Sequence, residues 1–175
     1  TLIGPDGNTY SNTNIRLSDL PKDANGQYYI DMPPVFGTRM YVGFGAPVYR
    51  GYGNPLLNNP SDPNYNTKVE TIELTIGNDR TIFTNTSRVD QYTYPMGEEL
   101  YCSGGFYDKV GETVTHEQVL AKWKLFAGTE FQDCLDPLRG IIQQPTHTPY
   151  FQVPGAHAEY FKPFIDDLWN YYKTH

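Results

Sequence analysis

Glycine and proline interrupt the first 55 residues so often that no long helix fits there. Gly4-Pro5, Asn25-Gly26, Pro33-Pro34, Gly43, Gly45, Pro47, Gly51, Gly53 and Pro55 follow one another at short intervals. Glycine adopts conformations that end regular structure, and proline lacks the N–H that a helix or ladder needs. Short extended segments are what remains. Gln27 to Met32 and Arg39 to Phe44 have strand composition, with Tyr28, Ile30, Met40 and Val42 alternating. Gly51 to Asn66 reads as a long polar loop, of a length usually tied to function or to an ordered Ω-loop. Lys68 to Ile76 is the clearest strand, with Ile72, Leu74 and Ile76 on one face and Thr71, Glu73 and Thr75 on the other. Asn78-Asp79 supplies a turn, and Thr81 to Tyr94 is expected to return as the second strand of a hairpin.

The pattern changes after Thr115. Thr115-His116-Glu117-Gln118 fits a capping box, Val119, Trp123 and Phe126 follow at helical spacing, and Gly128 can close the helix. Leu138 to Gln143 predicts one more strand. Phe164, Leu168, Trp169 and Tyr172 make the apolar stripe of a second helix, with Pro163 at an early position. The expected layout is therefore mainly β over 1–115, with a small α/β section over 116–175. There is no internal repeat.

Composition excludes several classes of function. Charged residues make up 19%, the net charge is −7 and the pI about 4.9, so nucleic acid and anionic lipid are repelled. No run approaches the roughly 18–20 apolar residues of a membrane span. Neutral polymers are unaffected by the charge, and 15 tyrosines offer flat apolar faces with a hydroxyl at the tip. Tyrosine is also simply a good strand former. The chain opens at Thr1 rather than Met, which leads one to expect a removed leader or a longer N-terminal region. Cys102 and Cys134 are expected to form a disulfide in an oxidising, extracellular compartment, closing a loop worth ~3–4 kcal/mol. Asn85-Thr86-Ser87 is a glycosylation sequon.

Two carboxylates stand out. Glu73 sits mid-strand, where Glu is disfavoured, between Thr71 and Thr75 on its own face. Asp90 lies on the return segment with Tyr92 and Tyr94 on its face. Such a polar stripe is either a solvated sheet surface or the lining of a sugar-binding cleft. Glycosidic hydrolysis needs one protonated carboxyl for the leaving oxygen and one carboxylate to act on water or on the sugar. With a two-residue turn at Asn78-Asp79, Glu73 would face Thr84 and Asp90 would lie about 20 Å beyond, at ~3.3 Å per residue. The strand must then bend or bulge between Asn85 and Asp90 if the two are to share one bond. His116, His147, His157 and His175 show no metal spacing, and no nucleophile elbow or phosphate loop occurs, so neither a metal nor a cofactor is expected.

Five segments, Gly37 to Val42, Asn59 to Asn64, Val69 to Thr75, Phe83 to Asp90 and Tyr160 to Tyr172, in this order resemble glycoside hydrolase family 64, the β-1,3-glucanases on a thaumatin-like fold. Gly37 to Val42 is similar to the family's Ser-Gly-Arg-aromatic strand, and Asn59 to Asn64 to its Asn-Pro-x-Asp-Pro-Asn loop. Val69 to Thr75 resembles the strand carrying the catalytic Glu. Phe83 to Asp90 resembles the segment whose Asp is the catalytic partner, and Tyr160 to Tyr172 the aromatic-rich terminal helix. The resemblance implies a thaumatin-like antiparallel β-sandwich or barrel, Glu73 as general acid and Asp90 as general base of an inverting mechanism. It implies sugar contacts at Thr75, Phe83 and Asn85, to which Tyr92 is added from its place beside Asp90. β-1,3-Glucan is the expected partner, and a secreted monomer the expected form. A glucan-binding protein of the same fold without turnover is the alternative. The sequence departs from the family at Thr84, where an Ala is usual, and at Phe83, where a Trp is frequent. One position more separates Glu73 from Asp90 than the family spacing implies, pointing to an extra residue in the Gly77 to Arg80 turn. The chain is also shorter than the family leads one to expect.

Overall fold

The computed structural model describes residues 15–49, 55 and 57–175, and the backbone alone of residues 2–3 and 9–10. Two compact units emerge, residues 1–88 with 94–113, and residues 89–93 with 114–175. Within the first, β1 (Leu2–Ile3) and β2 (Thr9–Tyr10) pair antiparallel. β3 (Val35–Phe44), β4 (Lys68–Ile76) and β5 (Ile82–Ser87) make a three-stranded antiparallel sheet with β4 in the centre. β6 (Gln91–Tyr92) belongs to the second unit, and β7 (Gly97–Tyr101) and β8 (Tyr107–Gly111) form a hairpin in the first.

The expected strand Lys68 to Ile76 is β4 residue for residue, and Arg39 to Phe44 lies inside the longer β3. The expected strand Gln27 to Met32 does not form; a single bridge joins Lys22 to Tyr28. Asp23 Oδ1 accepts the N–H groups of Asn25 (2.8 Å) and Gln27 (2.9 Å), which curls the segment into a local turn. Pro33-Pro34 then offers no N–H for a ladder. Residues 50–54 and 56 of the expected long loop lie outside the described residues. The part after them is ordered by Asn64, which is buried and clasps Tyr49 from both sides, accepting its N–H and donating to its carbonyl at 2.7 Å each.

The β4–β5 turn corrects the expected register. Ile76 pairs with Ile82, and three residues, Asn78, Asp79 and Arg80, stand between the Gly77 N–H and the Thr81 carbonyl that it meets at 2.8 Å. Arg80 takes φ 69°, the left-handed residue of a three-residue hairpin loop. With this extra residue, Glu73 faces Asn85 rather than Thr84. The return strand also ends at Ser87, far short of Tyr94. The chain leaves the sheet at Arg88, and β6 joins a different sheet.

What ends β5 is an ion network. Glu70 on β4 is 1% exposed. Its Oε2 meets Arg88 Nη1, and its Oε1 accepts the Tyr94 N–H at 2.7 Å. Arg88 also donates to Glu112 through Nε (3.0 Å) and Nη2 (2.6 Å) and to the Tyr94 carbonyl at 3.1 Å. Glu112 in turn accepts the Met96 N–H at 2.8 Å. Burial pushes the Glu112 carboxyl up, but the bonds from Arg88 and Met96 outweigh it and hold the group below its ordinary value.

In the second unit, β9 (Leu135–Asp136), β10 (Ile141–Gln143) and β6 form an antiparallel sheet with β10 in the centre. The expected strand Leu138 to Gln143 is shortened because residues 137–140 are turn, with Gly140 at φ 65°. α1 (His116–Phe126) starts at the expected capping box, both of whose bonds form: Gln118 N–H to Thr115 Oγ1 (3.3 Å) and Thr115 N–H to Gln118 Oε1 (2.9 Å). At its far end Gln132 Nε2 donates to the carbonyls of Trp123, Lys124 and Ala127. The core gathers Tyr92, Cys134, Ile142 and Phe151 under Val119, Leu120 and Trp123 of α1. α2 (Lys162–Thr174) carries Pro163 in its first turn as expected, and its stripe of Phe164, Leu168, Trp169 and Tyr172 is exposed.

The expected disulfide is absent. Cys102 is exposed in the turn after β7, whereas Cys134 is 1% exposed in the core of the second unit, and both are free thiols. Burial, then the neighbouring Asp133, pushes the Cys134 thiol up. A thiol reagent is therefore expected to modify one cysteine quickly in the native protein and the second only after unfolding. Two unreactive sulfurs that respond only to reductant would restore the bridge.

Candidate functional site

Antiparallel register brings the polar stripe together. Cross-strand partners share a face, so Arg39 on β3, Glu73 on β4 and Asn85 on β5 lie side by side across the sheet. The pair Thr75–Phe83 follows one step along the same face. All five line one groove of about 720 Å³, within the roughly 300–1,000 Å³ typical of ligand sites. Of the residues expected from sequence, Glu73, Thr75, Phe83 and Asn85 are thus gathered in the first unit.

Glu73 is half-buried and held by Arg39, whose Nε and Nη2 both meet Oε1, at 3.0 and 2.9 Å. Oε2 has no protein partner among the described residues. One oxygen is therefore pinned by a guanidinium fork while the other stays available to a ligand. Thr75 Oγ1 accepts the Gly37 N–H at 3.0 Å, which leaves its proton to donate. Gly37 sits at a bulge where the β3 register shifts between Val35 and Thr38, and its φ of 55° is left-handed. Phe83 is 67% exposed, with a large apolar face open beside these polar groups. Arg39 was not singled out from sequence as a site residue; its partnership with Glu73 follows only once strand register is known.

Asp90 and Tyr92 belong to the second unit. Asp90 is half-buried, and its carbonyl accepts the Gln144 N–H at 3.1 Å where the chain enters β6. Tyr92, expected to contact sugar, is 8% exposed: its ring is part of the core, and its hydroxyl lies 3.2 Å from His116 Nδ1. Tyr94 is likewise engaged, with its ring 4.8 Å from that of Phe44 and under Lys68 Nζ at 4.5 Å. Among the described residues, no group of three or more His, Cys, Asp or Glu could hold a metal ion, and no helix is long and apolar enough to cross a membrane.

The chain is similar to known proteins over nearly all its length. The family model Glyco_hydro_64, described as β-1,3-glucanase, matches residues 4–175. A β-1,3-glucanase domain (GH64) from Clostridium beijerinckii superposes with a TM-score of 0.75 at 31% identity, covering 99% of this chain and 47% of that one. A laminaripentaose-producing β-1,3-glucanase of GH family 64 from Paenibacillus barengoltzii gives 0.69 at 26% identity over 88% of this chain and 40% of that one. The same enzyme complexed with laminarihexaose gives 0.68 at 26% identity over 86% and 40%. The chain thus spans less than half the length of these solved structures. No curated protein matches it.

Proposed function

Because this chain belongs to the glycoside hydrolase family 64 β-1,3-glucanases, we propose that it hydrolyses β-1,3-glucan to short oligosaccharides by an inverting acid/base mechanism. The observation that carries the reading is the groove in which one glutamate, one threonine, one asparagine and an open phenylalanine ring meet. A glucan chain presents apolar ring faces and neutral hydroxyls, and these side chains answer both.

In this mechanism Glu73 is the general acid. Arg39 fixes Oε1, and a proton on Oε2 passes to the glycosidic oxygen as the C–O bond breaks. Asp90 is the general base, taking a proton from the water that attacks the anomeric carbon from the opposite face of the ring. Inversion requires the carboxyl groups to stand roughly 6.5–9.5 Å apart so that the water fits between base and sugar. Phe83 stacks on a sugar ring, while Thr75 and Asn85 bond its hydroxyls. A glycan on Asn85 would occupy this groove, so sugar binding and glycosylation of that residue exclude one another. A thaumatin-like arrangement, action outside the cell and a monomeric state complete the proposal, supported by the family and by a polymeric substrate that favours extracellular action.

Incubation with laminarin tests the reading: soluble oligosaccharides with new reducing ends are expected. Binding to insoluble β-1,3-glucan without any product would instead make the protein a glucan-binding member that does not turn over. Phe83→Ala is expected to raise KM for laminarin about tenfold with the fold unchanged, since truncating an exposed ring costs no core packing. An unchanged KM would remove Phe83 from the sugar contacts.

A further inference from the structure

The β7–β8 hairpin contributes a second set of residues to the groove that the catalytic reading leaves unused. Phe106, Asp108 and Val110 alternate along one face at and within β8, and their cross-strand neighbours Leu100 and Glu98 share it. All five line the groove that holds Glu73. Phe106 is 56% exposed, so its ring is not there to fill a core. Its place is fixed by the turn. The Cys102 N–H donates to the Phe106 carbonyl at 2.9 Å, and Gly104 and Gly105 take φ of 88° and 85°, conformations that side chains with a Cβ rarely adopt. Asp108 lies two residues on, about 6.6 Å along the strand. Its Oδ1 accepts the Lys109 N–H at 2.8 Å, and Oδ2 has no protein partner among the described residues. Lys109, the cation next to it, is tied to Glu99 on the other face of the hairpin.

We infer that Phe106 and Asp108 form an additional glucosyl subsite on the hairpin, in which the phenyl ring stacks on a sugar face and Oδ2 accepts a hydroxyl proton. The inference rests on the glucan reading above and specifies where the chain runs beyond the bond being cut. The ligand it calls for is a neutral sugar. An aromatic face beside a free carboxylate oxygen suits ring C–H and O–H groups, whereas a polyanion would meet Asp108, Glu98 and a net charge of −7.

Steady-state hydrolysis of laminarihexaose tests it, beside equilibrium binding of the same sugar and thermal melting of each variant. Phe106→Ala is expected to raise KM about tenfold with kcat little changed, the mark of uniform binding lost away from the reacting bond. Asp108→Asn is expected to raise KM about threefold, consistent with one weakened hydrogen bond. Phe106→Tyr, which keeps the ring, should retain the parent KM. Tyr101→Ala, on the opposite face of the hairpin, should leave both constants unchanged and so exclude a general loosening of the hairpin. Unaltered KM and affinity in Phe106→Ala, with the parent active, would overturn the subsite alone. A parent protein that neither binds nor cuts laminarihexaose would overturn the glucan reading and the subsite with it.

Discussion

Glu73→Gln is expected to lower kcat on laminarin by about 10²–10⁴, with melting temperature and glucan binding preserved. Glutamine keeps the shape of the side chain, and its amide oxygen can still accept from Arg39, so β3 and β4 remain joined. What is lost is an acidic proton for the departing oxygen. Because Glu73 is half-exposed in an open groove, the change leaves no buried polar group unpaired. The effect should therefore fall on kcat rather than on KM or stability. Asp90→Asn is expected to cost a similar factor, through loss of the base that deprotonates water. An additional readout separates the two. Added azide or formate should restore turnover in the variant missing the base and not in the one missing the acid, when an unactivated leaving group is used. Full activity in either variant would remove that residue from the mechanism.

The second large effect concerns stability. Arg88→Met is expected to destabilise the first unit by about 3–5 kcal/mol, because it strips the cation from the buried carboxylate of Glu70. The guanidinium also ties Glu112 and the Tyr94 carbonyl into the same cluster, and methionine replaces none of those bonds. The pH dependence has a definite sign. The Glu112 carboxyl is held below 4.5 in the folded protein, so its contribution is fully present above pH 4.5 and is lost as pH falls through the folded value. Urea unfolding at pH 7 and pH 4 should therefore show the parent losing stability on acidification, and the Arg88 variant losing less by that route. Equal midpoints for parent and variant at pH 7 would show that the network contributes nothing net.

The two glutamates of β4 show what was legible from sequence. Lys68 to Ile76 alternates cleanly, and a strand period of two puts Glu70 and Glu73, three residues apart, on opposite faces. Glu73 shares its face with threonines and was readable as a groove or surface residue. Glu70 shares its face with Ile72 and Leu74, and a carboxylate there demands a cation; that signal was present but its partner, Arg88, was 18 positions away. The capping box at Thr115 and the stripe of α2 were equally legible because each is a contact between residues three or four apart.

Features set by tertiary context were not legible. Tyr92 follows Asp90 by two residues and seemed to share its surroundings, yet pairing of β6 with β10 turns its ring into a core. The strand expected at Gln27 to Met32 had suitable composition, but Asp23 offered its backbone a local alternative. The one-residue difference in the β4–β5 turn moved the partner of Glu73 from Thr84 to Asn85. With a period of two, that shift alone decides which β5 side chains stand beside the acid. Two cysteines in a chain of this composition suggested a bridge, but counting cysteines says nothing of their depth.

The central proposal is an inverting hydrolysis with Glu73 as the acid and Asp90 as the base. Proton NMR of laminarihexaose during the first minutes of digestion tests it most directly, because the configuration of the newly formed reducing end is visible before it mutarotates. Inversion at a β-linkage predicts that the α-anomer appears first. Initial release of the β-anomer would mean a retaining pair of carboxylates, and it would contradict the assignment of Asp90 as the base that activates water.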